Sequence, residues 1–324
     1  MYSLEELKKI ISDKISTLNF EKQPRGLYKP IHYTLGSGGK RIRPGLMLAA
    51  CNLFSETIEE ALEPALGFEI FHNFTLLHDD VMDNSDLRRN QETVHKKWNV
   101  NTAILSGDAM MIEAYKLIAK TRPQHLNAIF DLFNTTALEV CEGQQYDVDF
   151  EAEQTVVIGG YLKMIKLKTA VLIAACMKAG AIIGGAHKKD ADYLYEFGIN
   201  LGLAFQLQDD LLDVYAEETT FGKPIGGDIA EGKKTHLFLQ AMKKLSKKDK
   251  LYLQEIFSNQ TISAVVKIRK VTDLYNKAEI KKLTQESIVE FHGKALKALD
   301  NVSVENSRKR ILYRFSEQLM VREK

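Results

Sequence analysis

Proline is scarce in this 324-residue chain and missing from its longest stretches. Its six prolines are Pro24, Pro30, Pro44, Pro64, Pro123 and Pro224. Because proline breaks the interior of a helix, the proline-free residues 124–223 and 225–324 can form long helices. Apolar residues recur at helical spacing in most windows, whereas alternating β-branched runs are scarce. One such stripe consists of Leu4, Leu7, Ile11, Ile15 and Leu18. The pattern predicts an all-α fold.

Short breaks rich in glycine or polar residues interrupt the helical pattern. They fall at 36–39, 84–91, 122–123, 159–160, 184–185 and 221–232. None is a long flexible linker, and no fixed-period repeat or low-complexity tract occurs. We therefore expect a single domain spanning residues 1–324.

The overall charge and composition exclude several classes of protein. Lys plus Arg is 44 and Asp plus Glu is 43, a formal net charge of +1, which argues against a nucleic-acid binder that works through bulk charge. The 45% hydrophobic content argues against disorder. Three cysteines are too few for a disulfide framework, so we expect a reducing, cytoplasmic location.

No segment predicts a membrane span. Residues 169–186 are the most apolar, but they include Lys178 and end in Gly184 and Gly185, so we expect a buried helix. The N-terminus is charged from residue 5, which argues against a signal peptide. Residues 243–250 are rich in lysine, and a solvated amphipathic face is the simpler interpretation of them.

The most informative segment contains three aspartates. Asp79, Asp80 and Asp83 lie at i, i+1 and i+4, a spacing that places them on one face of a helix that is otherwise apolar nearly all round. A pair of like charges about 4 Å apart costs ~4 kcal/mol at an effective dielectric of 20. Protonation, neighbouring cations or metal ions must offset this repulsion, and all-oxygen ligands suit Mg²⁺.

The same spacing recurs later in the chain. Asp209, Asp210 and Asp213 lie in a second apolar helical segment, residues 201–215. One such cluster could be a solvated helix end, but two in apolar surroundings favour a functional site. Two clusters that face each other could hold several divalent ions, and those ions would hold a diphosphate.

Cations accompany both clusters. Those near the two clusters are Arg88, Arg89, Lys223, Lys233 and Lys234, and the earlier segment GSGGKRIRP carries Lys40, Arg41 and Arg43. Arginine binds phosphate oxygens in a bidentate manner and lysine offers a compact charge. The early segment therefore predicts a second anion pocket.

These segments together resemble the trans-isoprenyl diphosphate synthases, the polyprenyl synthetase family. The segments that carry the resemblance are GGKRIRP at 38–44, LLHDDVMDNSDLRR at 76–89, LKTAVL at 167–172, FQLQDDLLD at 205–213 and GKPIGGDIAEGKKT at 222–235. They keep the order and spacing of the family. The resemblance implies a helical isoprenoid-synthase bundle around a deep central cavity, with the two aspartate motifs facing each other.

The family's reaction is head-to-tail condensation of isopentenyl diphosphate with an allylic diphosphate, aided by three Mg²⁺ ions. The resemblance assigns metal binding to Asp79, Asp80, Asp83 and Asp209, with Asp210 and Asp213 in support. It assigns the allylic diphosphate to Arg88, Lys168, Lys223 and Lys233, and isopentenyl diphosphate to Lys40, Arg43, His72 and Arg89. Thr169 and Gln206 would line the cation site, and Gln144 and Asp147 match a supporting motif.

Two histidines of the first segment need separate interpretation. A lone histidine on an apolar helix is usually a core residue, but His72 precedes Asp79 by two helical turns on the same face, which favours function. His78 is interpreted as supporting or structural, because imidazole is a poorer Mg²⁺ ligand than a carboxylate. Asn90 stands where the family usually has glycine, and asparagine also accepts a left-handed backbone.

The length of the product is predicted from side chains near the first aspartate motif. Family members measure their product with side chains on the helix below the first motif. Phe74, five residues before Asp79, lies about 7.5 Å along that axis, next to the small Thr75, and Phe71 lies further down. This arrangement favours a C20 product of the geranylgeranyl type over a C15 farnesyl product.

Three other functions fit the sequence less well than head-to-tail condensation. A class I terpene cyclase shares the fold and the first motif but does not need the GGKRIRP pocket or a second DDxxD, and a squalene-type head-to-head synthase fails on the same grounds. A non-catalytic partner subunit of a heteromeric synthase would tend to lose an aspartate or a pocket cation. The resemblance further implies a homodimer, with residues 100–118 as a candidate interface.

Overall fold

The structure is a computed structural model that describes residues 1–153, 155–216, 225–259 and 261–320. It confirms the all-α fold. The first helices are α1 (Leu4–Ser16), α2 (Arg25–Gly36), α3 (Ile42–Phe54), α4 (Glu59–Met82), α5 (Val94–Lys97), α6 (Val100–Ile118), α7 (Pro123–Ala152) and α8 (Ile158–Ile165). A π-helical turn (Lys166–Ala170) leads into α9 (Val171–Ile183) and α10 (Lys188–Tyr215). The later helices are α11 (Gly227–Glu231), α12 (His236–Lys244), α13 (Lys247–Ser258), α14 (Ala264–Lys277), α15 (Ile280–Asp300) and α16 (Asn306–Met320).

The chain divides into two compact units. The first contains the described residues of Met1–Asn134, Ala175–Leu194 and Ser303–Ile311. The second contains those of Thr135–Ala174, Tyr195–Val302 and the described residues from Leu312. The single domain over residues 1–324 stays a prediction.

The first unit is built around α4 and α6. A side chain at Gly67 of α4 would meet Ile118 of α6 at 2.7 Å, so the missing side chain allows the two helices to approach closely. At the N-terminus, α1 begins with a capping box between Ser3 and Glu6. Four residues of the predicted stripe, Leu4, Leu7, Ile11 and Ile15, are buried, whereas the fifth, Leu18, lies beyond the end of α1 and is half-buried.

The second unit has its own apolar core. Helices α8, α10, α12, α13, α14 and α15 contribute buried side chains to it, including Met164, Leu207, Leu253 and Tyr275. The start of the π-helical segment is held close to α7, because a side chain at Gly143 would overlap the backbone of Lys168 at 2.2 Å. This approach fixes the position of two of the predicted site residues.

Most of the predicted breaks coincide with helix ends, but one does not. Gly159 and Gly160 lie in the first turn of α8, and among the described residues the break precedes them at 153 and 155–157. The break was predicted a few residues too late, because paired glycines were interpreted as the end of a helix. The first turn of a helix tolerates them. As predicted, α9 is buried. Within the described ranges, no helix combines the length and apolar character needed to cross a membrane.

Candidate active site

The first aspartate cluster lies at the C-terminal end of α4. Asp80 is buried and Asp79 half-buried, whereas Asp83 is exposed and forms the C-cap. The sequence predicts a helix that is apolar nearly all round and therefore buried, but its last turn is not buried, because Met82 is 52% exposed. A helix C-terminus carries partial negative charge, which adds to the repulsion among the carboxylates. Cations are needed to stabilise this arrangement.

Arg88 supplies one of these cations. Its Nε donates to both oxygens of Asp80, at 2.7 and 2.9 Å, and its guanidinium lies 3.6 Å from Asp79. Burial nevertheless raises the pKa of Asp80 to about 6, against the lowering effect of Arg88 and with Asp79 and Asp83 adding to the rise. One arginine therefore does not offset the effect of burial on this carboxylate.

A two-residue β-hairpin presents the arginine pair. Leu87–Arg88 pairs with Gln91–Glu92, and the turn residues Arg89 and Asn90 both have positive φ, at 53° and 60°. Two positive φ angles are typical of the tight turn that matches strand twist, and asparagine accepts them readily. The expectation for Asn90 is confirmed. Arginine is unusual in such a backbone, which constrains where the Arg89 side chain can point.

The Arg89 side chain lies over the glycine-rich loop before α3. It donates to the carbonyl of Gly38, and its guanidinium carbon would be 2.9 Å from a side chain at Gly39. Only glycine allows this approach, and Gly39 also has a positive φ of 131°. Burial, followed by the neighbouring Arg41, lowers the pKa of Arg89. The exposed Lys40 lies in the same loop.

Arg43 and His72 form the inner part of the same cationic region. The Nη1 of Arg43 lies 3.0 Å from the Nε2 of His72, so Nε2 accepts the hydrogen bond. Burial, followed by the charge of Arg43, lowers the pKa of His72 well below its usual range. His72 is therefore a neutral group that orients Arg43, and the sequence alone did not indicate this pairing.

A buried ion pair beneath the loop was missed by the sequence analysis. Arg41 lies 2.6 Å from the buried carboxylate of Glu69 and also donates to the carbonyl of Leu35 at 2.7 Å. The Nδ2 of Asn73 donates to Glu69 at 3.1 Å. Glu69 is ten residues from the aspartates, with no motif to identify it. The pair neutralises Arg41, so Lys40, Arg43 and Arg89 provide the positive charge of the pocket.

The aromatic side chains of α4 differ in their surroundings. Phe71 is fully buried and packs edge-on against Phe133, with ring centroids 5.1 Å apart. Phe74 and Thr75 are half-buried, and the Phe74 ring lies 5.7 Å from that of Phe71. Phe71 therefore supports Phe74 from below.

His78 has a packing role. Its ring fills the space above Gly107 of α6, and its Nε2 lies 3.2 Å from the carbonyl of Ile104. The ring also packs edge-on against Phe74 at 4.7 Å. The structural interpretation of His78 agrees with these contacts.

The second aspartate cluster lies in the last two turns of α10. Asp209 is half-buried, and Asp210 is buried and accepts a 2.5 Å hydrogen bond from the hydroxyl of Tyr161. Burial, followed by the negative charge of Asp228, raises the pKa of Asp210 to about 8. Asp213 accepts from the backbone N–H of Asp228 at 3.1 Å. Neither partner was predicted: Tyr161 is 49 residues from Asp210, and Asp228 lies in the quoted segment 222–235 but was given no role.

Lys168 and Thr169 lie on the π-helical turn. Such turns shift the register of a helix and are frequent at functional sites. Lys168 donates to Asp147 at 2.6 Å, and Thr169 donates to the Oε1 of Gln206 at 3.2 Å. Gln206 in turn lies 3.4 Å from Asp210, so one chain of contacts joins Thr169 to Tyr161. Gln144 is half-buried on α7.

These side chains line one cavity of the second unit. The cavity has a volume of about 150 Å³, and its polar lining includes Asp147, Lys168, Thr169, Gln206, Asp210, Asp228 and Lys233. Lys233 is half-buried and forms an ion pair with Glu231 at 2.9 Å. Lys223, predicted for the same site, lies outside the described residues. Each unit thus combines carboxylates with lysine or arginine, which suits a metal-bound phosphate ligand.

A family model named polyprenyl synthetase matches residues 24–275. The chain belongs to the polyprenyl synthetase family.

Individual members of this family are similar over most of the chain. A geranylgeranyl diphosphate synthase of Methanosarcina mazei is 39% identical over 245 residues, which cover 75% of this chain and 76% of that protein. A geranylfarnesyl diphosphate synthase of Natronomonas pharaonis is 35% identical over 257 residues, covering 74% and 75%. A crystal structure of a geranylgeranyl pyrophosphate synthase covers both chains completely, at 43% identity and a TM-score of 0.95.

The family and these relatives together make the chain a prenyltransferase that synthesises short-chain prenyl diphosphates. The donor set at both clusters is carboxylate oxygen, which fits Mg²⁺. Nowhere in the described residues do three or more His, Cys, Asp or Glu side chains come together closely enough to enclose an ion. Mg²⁺ keeps several waters in its coordination and takes one or two carboxylates plus substrate phosphates.

Proposed function

We propose that the chain condenses isopentenyl diphosphate head-to-tail with an allylic diphosphate in a Mg²⁺-dependent reaction, and that the main product is C20. The observation that carries the proposal is the carboxylate cluster at the end of α4 beside a separate cationic pocket. Arg88 contacts the carboxylates, whereas Arg43 and Arg89 lie with His72 and the glycine-rich loop. One molecule can therefore bind through metal and a second, also a diphosphate, through cations alone.

The roles follow from these surroundings. Mg²⁺, expected as three ions, would neutralise the charge that develops on the leaving diphosphate. The ions would be bound by Asp79, Asp80, Asp83 and Asp209. Asp210 accepts a hydrogen bond from Tyr161, and Asp213 accepts one from the backbone N–H of Asp228, so these two would support the second motif. Arg88, Lys168, Lys223 and Lys233 would contact the allylic diphosphate. Lys40, Arg43, His72 and Arg89 would bind isopentenyl diphosphate.

The reaction breaks the bond between the allylic carbon and its diphosphate oxygen. The double bond of isopentenyl diphosphate then forms the new carbon–carbon bond, and a proton is lost. Thr169 donates its own hydrogen to Gln206, so the oxygen lone pairs of Thr169 remain available to the cavity. A preorganised oxygen can stabilise a developing allylic cation without reorganising. Thr169 and Gln206 therefore act as cation-stabilising groups.

A homodimer remains part of the proposal. Helix α6 exposes apolar side chains on the face away from its buried one, including Ile104, Leu105 and Ile112. Exposed apolar side chains grouped on one helix are typical of a protein interface. Sedimentation of the pure chain at several concentrations tests this assembly.

The first experiment is a product assay with labelled isopentenyl diphosphate. Purified protein receives dimethylallyl, geranyl or farnesyl diphosphate, with Mg²⁺ or with EDTA. We expect Mg²⁺-dependent extension that ends at C20. Folded protein that extends none of the three primers would contradict the proposal, and would favour a partner subunit or, if cyclic hydrocarbons form, a terpene cyclase.

Phe74→Ala is expected to lengthen the product in the same assay, from C20 to C25 or longer. The half-buried Phe74 ring is supported by Phe71, so its removal opens space below the first motif. The matched control is Phe130→Ala, a half-buried phenyl in the same unit that stacks on Tyr115. An unchanged product from Phe74→Ala, or an equal lengthening by Phe130→Ala, would remove Phe74 as the floor of the cavity.

A further inference from the structure

Residues 243–277 carry a local excess of positive charge. Residues 243–277 contain nine Lys or Arg against three Asp or Glu, whereas the whole chain is nearly neutral, with 44 against 43. Eight of the nine cations are lysine, and Arg269 is the exception. The excess is confined to the end of α12 and to α13 and α14, in the second unit. None of the predicted site residues lies in this stretch.

The exposed faces of α13 and α14 adjoin each other. Lys277 of α14 forms an ion pair with Asp249 of α13 at 2.7 Å, and the ammonium of Lys270 lies 5.9 Å from the ring centre of Tyr252. The later residue of α14 meets the earlier residue of α13, so the two helices run antiparallel. We name a set of residues from the end of α12, from α13 and from α14 the lysine surface. It consists of Lys243, Lys244, Lys247, Lys248, Leu251, Tyr252, Val265, Val266 and Lys270.

Apolar side chains are interspersed with these lysines. Leu251 is 60% exposed, Val265 77% and Val266 43%. Leu251 lies four residues after Lys247, and Lys270 four residues after Val266, so each pair shares a helix face. A face that only keeps a protein in solution does not need exposed aliphatic side chains. A solvated face, the simpler interpretation of the lysine run, assigns no role to these aliphatic side chains.

We propose that the lysine surface docks onto an anionic lipid bilayer. Clustered lysines are attracted to acidic headgroups, and their long aliphatic stems let the ammonium remain in water while the surface approaches the membrane. Exposed Leu251, Val265 and Val266 add apolar contact at the headgroup boundary. A nucleic acid or an acidic protein would favour arginine, whose planar group binds phosphate or carboxylate in a bidentate manner. The scarcity of arginine therefore favours the bilayer.

The docking stands independently of the proposed reaction, because it needs no substrate. Where the proposed reaction also holds, docking would release a product with a long apolar chain beside a bilayer. Transfer of such a chain from the enzyme to lipid would then avoid exposing it to water.

The test uses the full chain and vesicles of two compositions. One set contains 70% phosphatidylcholine and 30% phosphatidylglycerol, and the other contains phosphatidylcholine alone. We expect co-sedimentation with the anionic vesicles at 0.1 M salt, at least tenfold weaker binding to the neutral ones, and loss of binding at 0.5 M salt. Each lysine near an anionic surface is worth roughly a fivefold change in partition. The quadruple change of Lys243, Lys244, Lys247 and Lys248 to Gln should therefore weaken binding at least tenfold.

A matched quadruple variant controls for net charge. Lys9, Lys14, Lys29 and Lys188 are exposed lysines of the first unit, and changing them to Gln should alter binding less than threefold. A variant with Leu251→Gln, Val265→Thr and Val266→Thr should weaken vesicle binding at least threefold with the lysines intact. Circular dichroism checks that each variant is folded.

Three results would overturn the proposal. They are equal binding to neutral and anionic vesicles, an equal loss in the control variant, and no binding of the wild-type chain to either vesicle. RNA that binds the wild-type chain more tightly than anionic vesicles do would also overturn it, in favour of a nucleic-acid surface.

Discussion

Asp79→Asn is expected to lower kcat/KM for the condensation by roughly 10²–10³-fold, the effect of removing one electrostatic group that acts on the developing charge. The half-buried Asp79 carboxylate lies at the negative end of α4, with the guanidinium of Arg88 3.6 Å away. Asparagine keeps the shape of the side chain but removes the charge that would bind Mg²⁺. Initial rates over a Mg²⁺ titration provide the measurement, and the variant should need more Mg²⁺ to reach its own maximum.

The control for this variant lies in the segment that follows α4. Asp86 is an exposed aspartate paired with Lys96 at 2.9 Å, and Asp86→Asn removes one negative charge from the loop that follows α4. Its kcat/KM should stay within about twofold of the wild-type value, because exposed ion pairs contribute little. Asp79→Asn with normal activity, or with a normal Mg²⁺ requirement, would exclude Asp79 from metal binding.

Much of the fold was predictable because the relevant signals are local. Helix periodicity depends on residues three or four positions apart, and the buried stripe of α1 and the buried α9 follow from it. The end of α4 was not predictable in the same way. The repeated spacing of Asp79, Asp80 and Asp83 suggested a continuous face, whereas the helix ends at Met82 and leaves Asp83 as an exposed cap.

The residues missed at the candidate site are partners that tertiary structure brings together. Tyr161 is 49 residues from Asp210, and Glu69 is 28 residues from Arg41. A tyrosine or glutamate in a helix has no local signature that names its partner. The β-hairpin was missed for a different reason, because its turn holds Arg89 and Asn90 in place of the glycine that usually marks such a turn.

The π-helical turn also escaped sequence analysis, although its residues were named. Lys168 and Thr169 were predicted from the segment LKTAVL, which reads as ordinary helix. In the structure they lie on a turn held close to α7 by Gly143. The shifted register lets Lys168 reach Asp147 while Thr169, the next residue, reaches Gln206. The sequence motif names these two residues as candidates, but it does not indicate the backbone conformation on which they lie.

The buried Arg41–Glu69 pair gives the largest expected effect on stability. Arg41→Met leaves the Glu69 carboxylate buried with Asn73 as a remaining donor, and we expect it to lower the free energy of unfolding by about 3–5 kcal/mol. Arg41 also precedes α3 at the end of the glycine-rich loop, so the variant should raise the KM for isopentenyl diphosphate more than that for the allylic substrate. Chemical denaturation and initial rates supply the two measurements.

Two further variants separate the loss of a buried partner from the loss of an arginine. Arg122 pairs at 2.7 Å with Glu60, which lies on α4 as Glu69 does, but the Arg122 side chain is 60% exposed. Arg122→Met should therefore lower the free energy of unfolding by less than about 1 kcal/mol. The double change of Arg41 and Glu69 to Met should recover most of the stability lost by Arg41→Met, because no buried charge then lacks its partner. If Arg122→Met and Arg41→Met destabilise the protein equally, burial of the ion pair is not the cause. If the double variant recovers stability but not the KM for isopentenyl diphosphate, the pair has a second role in positioning the glycine-rich loop.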